Sequence, residues 1–452
     1  MRRMLIFCAA LFFLFPLSLE AGTVPDPELV SAIAVIKVID NHAHPLRMLR
    51  EGERDREWGD LSYHASGAAD PAEGMALTPF RLRPKSPEYP AVWRALFGVP
   101  EGAITRDSMH GLYLTKRRIM AEQAGNYPSW ILDRIGTETM LANRVVMDPS
   151  LPHPRFRWVP YADVWMYPLD NAEALKRRPD LASSYDALNR LMRTHLVDLG
   201  LRRLPSSLKG YLAEVVTPAL ERQKQKGAVA VKFQTAYIRP LDIGNPPEAQ
   251  AGRVYERYVR EGTPAAGEYK ALQDYLFRFI AREAGRLGMA VHIHTGLGIG
   301  HYFDVAGSHP LLLEPLFNDP ALRKTSFVII HGGWPFAGQT AAMLLKPNVY
   351  ADFSAIAFLI YPHELSDVLR SWLEVSPDKV LFGTDGFEVD PNMLIVNWEE
   401  FACLGTVSAR QALAVTLTEM MNDREISREE AMVIARQVLR ENAVKLYKLD
   451  AP

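Results

Sequence analysis

Cysteine is nearly missing from this chain. Of 452 residues only Cys8 and Cys403 carry a thiol, so no disulfide framework organises the fold. A chain of this length buries enough apolar surface to fold without cross-links. Charge of one sign is missing as well: 51 basic and 53 acidic residues leave a formal net charge of −2. Nothing in that balance offers a field to nucleic acid or to an anionic membrane surface. Internal repeats and low-complexity tracts are not seen. What remains is ordinary globular composition, 48% hydrophobic and 23% charged.

Long apolar runs are also lacking, except at the start. Arg2 and Arg3 precede an uncharged apolar run from Met4 to Leu19, and Glu20-Ala21-Gly22 offers small residues for cleavage. The run falls short of the roughly 20 residues a spanning helix needs. Residues 1–21 are therefore expected to be a secretory signal peptide, which places the mature protein in the periplasm or outside the cell with no stable membrane insertion. Cys8 would leave with that segment. An uncleaved anchor is the competing reading.

Histidine is present in a pattern. Three strand-like apolar segments end on it: Ala34–Asn41 leads to His42-Ala-His44, Met289-Ala-Val leads to His292-Ile-His294, and Phe327–Ile330 leads to His331-Gly-Gly. Two more segments end on other ligand types, Ala228-Val-Ala-Val-Lys232 and Val380-Leu-Phe-Gly-Thr-Asp385. Eight apolar, β-branched segments read as strands: one beginning at Val38, then Thr139–Val146, Arg157–Val164, Ala228–Phe233, Met289–His294, Phe327–His331, Val349–Phe353 and Val380–Gly383. Helical stretches separate most of them. The fold class expected is α/β, a (β/α)8 TIM barrel, whose active site lies where all eight strands end.

Asp40 to Asp385 spans about 345 residues against roughly 250 for a plain barrel. About a hundred residues must then be insertion. Residues 45–126, after strand 1, read as a loop-rich lid; residues 171–226, after strand 3, read as helices. Residues 22–452 form one domain in this reading. Pro25–Lys37 opens it as a short helix, and two amphipathic helices, Ala409–Met421 and Ser427–Leu446, close it behind Ser408 and Ser427 as N-caps.

Each strand end carries a candidate role. Alternate strand residues face one side, so His42 and His44 can reach one cation, with Asp40 on the same face. His294, at its strand tip, is the expected ligand; His292 lies deeper and reads as a packing or supporting histidine. Lys232 on an apolar strand is costly unless paired or functional; desolvated and deprotonated, it is the form that reacts with carbon dioxide to give a metal-bridging carbamate. His331 serves as second-metal ligand or as an acid/base or carbonyl-polarising group. Its Gly-Gly-Trp-Pro sequel suggests a tight turn into a helix with Pro335 in the first turn. Asp385 binds metal and moves a proton from attacking water to the leaving group. Past the Lys232 strand, Arg239 is placed to clamp a substrate carboxylate, with Tyr237 beside it. Trp334 and Tyr302 are candidate pocket walls. Asp352 carries no assigned role, and the remaining histidines read as surface or structural.

On the stretches Val-Ile-Asp-Asn-His42-Ala-His44, Ala-Val-Lys232-Phe-Gln-Thr-Ala-Tyr, His292-Ile-His294-Thr-Gly, Ile-Ile-His331-Gly-Gly-Trp-Pro and Leu-Phe-Gly-Thr-Asp385-Gly, the chain resembles the amidohydrolase superfamily. Within it, the amidohydrolase-2 branch and its nodulin/FluG-like group are the most similar. The resemblance implies a divalent metal, most often zinc, held by His42, His44, His294 and Asp385. A second ion would be held by His331 and a carbamylated Lys232. It implies hydrolysis of a C–N bond in a small substrate. The alternatives weighed are a non-oxidative decarboxylase of the same branch, which generally lacks the fourth-strand lysine, and a ligand-binding barrel without catalysis. Small molecules are the expected partners, with self-association as a further partner class.

Overall fold

Eight short parallel strands alternate with helices in the computed structural model, which describes residues 23–48, 79–83, 86–99, 106–298, 303–388 and 396–449. The expected signal segment, residues 49–78 with His64, and His301 and Tyr302 lie outside the described residues. The strands are β1 Val38–Ala43, β2 Thr137–Asn143, β3 Phe156–Val159, β4 Ala230–Phe233, β5 Ala290–His294, β6 Phe327–Ile330, β7 Val349–Asp352 and β8 Val380–Leu381. All eight expected strands exist, shorter than predicted at most ends. They pair in sequence order as β1-β2-β3 and β4-β5-β6-β7-β8. Backbone hydrogen bonds join the two sets at both seams. Val229 N donates to Trp158 O and Lys232 N to Pro160 O, at 3.0 and 2.8 Å; on the other side Asn41 N donates to Phe382 O and Asp385 N to His42 O, at 2.8 and 2.6 Å. The expected barrel is the observed fold.

Alternation along the strands sorts residues between two cores. Val231, Phe233, Val291, Ile293, Phe327 and Ile329 pack outward against the surrounding helices. Ile39, Leu141, Ala230, Ala290, Val328, Ile330 and Leu381 fill the barrel interior, where Ala443, Tyr447 and Leu449 of the C-terminal segment close the layer. Interior residues nearer the strand ends are polar, and they build the site.

The described part of the first insertion is helical rather than loop-rich. Tyr89–Phe97 and Arg106–Gln123 are helices, the helix Tyr127–Ile135 follows them, and the apolar faces of all three pack with Trp398, Phe401 and Leu404 beside Ala43 and Leu46 at the end of β1. The buried Arg81 fastens this unit: it pairs with Glu88 at 2.6 Å and also bonds the Ile360 carbonyl and Ser408. Ser408 is therefore not an N-cap. The helix it was expected to start runs from Trp398 to Asn422, and Asn397 caps it together with Glu400. Ser427 does cap Arg428–Arg436, with Glu430 completing the box. Pro335 also departs from expectation. It follows a cis peptide bond and precedes the helix, which begins at Ala337.

Candidate metal centre

β1 carries an extra residue relative to β2: Asp40 pairs with Met140 and Ala43 with Ala142. This bulge re-phases the strand. Asn41 and His42 both face the interior, while Asp40 turns away from the site. Its carboxylate accepts from Thr384 N at 2.9 Å and from the Thr384 hydroxyl, and burial pushes its pKa up to about 7. The expectation that Asp40 shares the His42/His44 face fails for this reason.

His42 and His44 do converge. Each presents Nε2 at 3.2 Å from Asp385 Oδ1. His331 Nε2 lies 4.0 Å from Asp385 Oδ2 and 3.1 Å from His294 Nδ1. Lys232 Nζ stands 2.9 Å from His42 Nε2. The six residues expected at the centre thus form one buried group. His331 and Asp385 take left-handed backbone angles, φ 64° and 55°, which turn them inward past the point where strand alternation would carry them. Such angles cost about 1–3 kcal/mol in a non-glycine residue, so tertiary contacts must hold them. Gly383 is required here: a Cβ would stand 2.9 Å from Ser354 Cβ and 3.2 Å from Asp352 Oδ2.

Supporting hydrogen bonds fix which imidazole nitrogen carries the proton. His294 Nε2 lies 2.7 Å from the Leu297 carbonyl, which can only accept, so Nε2 bears hydrogen and Nδ1 a lone pair. His331 Nδ1 lies 3.2 Å from the Ser354 carbonyl and 2.9 Å from the Ser354 hydroxyl, so its lone pair is on Nε2. The Ser354 hydroxyl donates onward to Asp352 Oδ1 at 2.7 Å. His44 Nδ1 faces the Tyr161 hydroxyl at 3.1 Å, and that hydroxyl reaches the Asn143 carbonyl at 3.5 Å. Asp352, Ser354 and Tyr161 carry no mark in the sequence that distinguishes them; only their positions, Asp352 at the end of β7 and the other two just beyond strand ends, hint at a role. His292 is placed as expected, beneath the site, with Nε2 2.7 Å from the Tyr447 hydroxyl, which bonds Asn41 Oδ1 in turn.

Burial keeps these imidazoles neutral, pushing His331 down to about 4 and holding His42 and His294 well below their ordinary range. Lys232 is pushed down to about 8 by burial, against the pull of Asp385, Asp352 and Asp163. Burial would raise Asp385, but the adjoining His331, His42 and His44 together hold it well below the carboxylate range. The lone pairs of His294 Nδ1 and His331 Nε2 therefore face each other at 3.1 Å, beside a carboxylate. A cation is what such an arrangement accommodates. Two nitrogens each about 2.0–2.1 Å from one zinc ion stand roughly 3–4 Å apart, and the donor atoms of His42, His331 and Asp385 all lie within 4.8 Å of one another. The residues fit a metal.

The expected substrate contacts divide. Tyr237 lies over His294, ring centroids 4.5 Å apart. Trp334 is half-buried just past His331. Arg239 is held elsewhere: its Nη1 pairs with Asp274 Oδ1 at 2.7 Å and bonds Gln273 Oε1 at 3.2 Å. The guanidinium is turned to the helix Ala266–Arg286 rather than brought to the metal ligands. Of the other histidines, His195 packs on Trp165 at 4.4 Å and His309 accepts from Leu311 N at 3.1 Å, both structural roles.

Comparison with known proteins agrees with this geometry. A family model described as Amidohydrolase matches residues 192–449, more than half of the chain. Protein fluG of Emericella nidulans is 24% identical over 234 residues, which cover 49% of this chain and 26% of that protein. The chain thus spans about a quarter of the length of that relative. Among solved structures, a Lactobacillus casei protein assigned as a metal-dependent hydrolase superposes with a TM-score of 0.62 at 17% identity, covering 93% of this chain and 97% of that one. Uronate isomerase from Thermotoga maritima gives 0.63 at 14% identity, over 93% and 96% of the two chains. At such identities these likenesses concern the fold.

Proposed function

The chain belongs to the amidohydrolase family, and from that premise we propose that it is a metal-dependent hydrolase of a C–N bond of amide type in a small substrate. The observation that carries the reading is the pair of opposed lone pairs on His294 and His331, beside the Asp385 carboxylate. Zinc is the ion proposed, because it suits imidazole and carboxylate ligands; when bound it lowers the pKa of water to about 7 and polarises a carbonyl.

The residues divide the remaining work. Asp385, ionised and in contact with three imidazoles, takes the proton of the attacking water and returns it to the leaving nitrogen. His42, His44 and His294 hold the centre, and Tyr161 and the Leu297 carbonyl orient two of them. His331 joins them as a ligand. With hydrogen on Nδ1, its Nε2 has no proton to offer a carbonyl oxygen, so the polarising role is set aside. Lys232, its pKa lowered to about 8, holds more free amine at neutral pH than an ordinary lysine and is suited to add carbon dioxide: the nitrogen attacks the carbon, loses a proton and becomes a carbamate that could bridge two ions. Export through residues 1–21 belongs to the same proposal; the N-terminus of the secreted chain, found by mass spectrometry, tests it.

The deciding experiment is metal content per chain, measured by plasma mass spectrometry on protein purified without chelator, followed by a screen of amides, dipeptides and N-acyl amino acids. Two equivalents with amide turnover support a carbamate-bridged hydrolase. One equivalent with carbon dioxide release from carboxylated substrates supports the decarboxylase instead. No binding of zinc or manganese overturns both.

A further inference from the structure

Gln234 sits two residues past Lys232, and the strand around it has a clear phase. Ala230 packs in the barrel interior, Val231 and Phe233 pack outward, and Phe233 stacks on Phe277 of an outer helix with centroids 4.1 Å apart. Lys232 points inward to His42. Gln234 therefore points inward as well, one step nearer the mouth. The register of β4 against β5, Lys232 with His292 and Phe233 with Ile293, carried one residue past the end of β4, puts Gln234 level with His294.

The side chain is 95% buried, its relative exposure being 5%, and its Oε1 meets no hydrogen-bond donor among the described residues. A buried amide oxygen left without a donor costs about 1–3 kcal/mol. The backbone beneath it is rigid. Gln234 N donates to both oxygens of Asp163, at 3.0 and 2.9 Å, and the Thr235 hydroxyl donates to the same carboxylate at 2.8 Å. The chain then turns so that Tyr237 covers His294. A held, inward, unpartnered acceptor beside a ligand histidine is what a preorganised substrate contact looks like.

We propose that Gln234 is a specificity-determining residue of the hydrolase: its Oε1 accepts a hydrogen bond from an N–H next to the carbonyl under attack. This inference rests on the reading of the site as a metal-dependent amide hydrolase. It names the substrate class as one that brings a donor to this wall, such as a primary or secondary amide. A substrate offering only a carboxylate there would find no match, and Arg239, the residue expected to clamp one, is engaged by Asp274.

The test is calorimetric binding of two metal-chelating probes to the zinc-loaded full chain: acetohydroxamate, which carries the N–H, and its N-methyl derivative, which lacks it. Wild type should prefer the N–H probe about ten-fold more than Gln234→Leu does, the worth of one hydrogen bond. Leucine keeps the bulk, so a merely steric bias against the methyl group would survive in it. Gln234→Glu, which keeps an acceptor, should retain the preference, and metal content measured in parallel should match in all three proteins. Equal probe ratios in wild type and Gln234→Leu overturn the assignment while leaving the hydrolase reading in place. Failure of zinc-loaded wild type to bind either probe overturns both.

Discussion

Two groups of charged and polar side chains are buried in this molecule, and they are built in opposite ways. Behind the described helices of the first insertion, Lys116 Nζ lies 3.0 Å from both oxygens of Glu400 and 3.3 Å from Glu399. Tyr127 donates to the other Glu399 oxygen at 2.8 Å, and Asn397 N to Glu400 at 2.8 Å. Every carboxylate oxygen there faces a donor. At the barrel mouth, by contrast, two acceptors face each other, the lone pairs of His294 and His331, beside a carboxylate on which His42 and His44 converge. The first group is closed within the protein and acts as a clasp between the insertion and the helix Trp398–Asn422. The second leaves a place that a cation fits. Burial alone does not tell a structural cluster from a functional one; the balance of donors and acceptors does.

Substitution should separate the two sharply. Asp385→Asn is expected to lower turnover by about 10³-fold or more, since it removes both a proton carrier and a ligand. The same change should also empty the centre, read as a loss of metal per folded chain. Lys116→Met should do the reverse. Breaking a buried ion pair from one side costs about 3–5 kcal/mol, seen as a lower denaturant midpoint, while metal content per folded chain stays unchanged. A loss of metal in Lys116→Met, or unimpaired turnover in Asp385→Asn, would dissolve the contrast.

Chelation gives a third, smaller difference. Zinc at a hundred times its dissociation constant stabilises the folded chain by about 2.7 kcal/mol, so thermal midpoints should fall on chelation in wild type and in Lys116→Met alike. In His331→Ala the fall should be reduced. Tyr161→Phe removes only the hydroxyl that orients His44 and should weaken zinc binding by about ten-fold with no change in equivalents bound at saturation. Equal affinity in Tyr161→Phe would make that hydroxyl a packing feature.

The convergence of His42, His44, Lys232, His294, His331 and Asp385 was legible in the sequence, because a parallel barrel puts every strand end at one mouth and each residue needed only its strand context. What shifts a residue by one step was not legible. The β1 bulge that turns Asp40 to Thr384 is a backbone irregularity with no residue signature. The left-handed angles at His331 and Asp385 are likewise set by tertiary contacts, such as the bond from His331 N to Asp352 Oδ1 at 2.8 Å. Partners distant in sequence were hidden for the same reason: Asp274 claims Arg239, and Ser408 serves Arg81 from mid-helix rather than capping one. Gln234 stood inside a quoted motif, yet only strand phase and burial disclose its orphan oxygen.

The last contrast is in pH. Burial pushes Glu400 up to about 8, with Lys116 opposing and Glu399 reinforcing the rise. Cys403, raised to about 12, and Tyr127, raised well above its ordinary value, stay neutral beside it. Lys116 is raised and stays charged. A folded-state pKa above the unfolded one means the folded chain holds the proton more tightly. The contribution is full below the ordinary glutamate value and is lost as pH rises to about 8. Thermal stability should therefore decline between about pH 5 and 8, and Glu400→Gln, which removes the titration but keeps an acceptor for Asn397 N, should flatten the decline. It should not abolish it, because Asp40, raised to about 7, and Asp163 and Asp352, both raised to about 6, act in the same direction. A variant curve parallel to wild type across that window would show that Glu400 is ionised in the folded clasp.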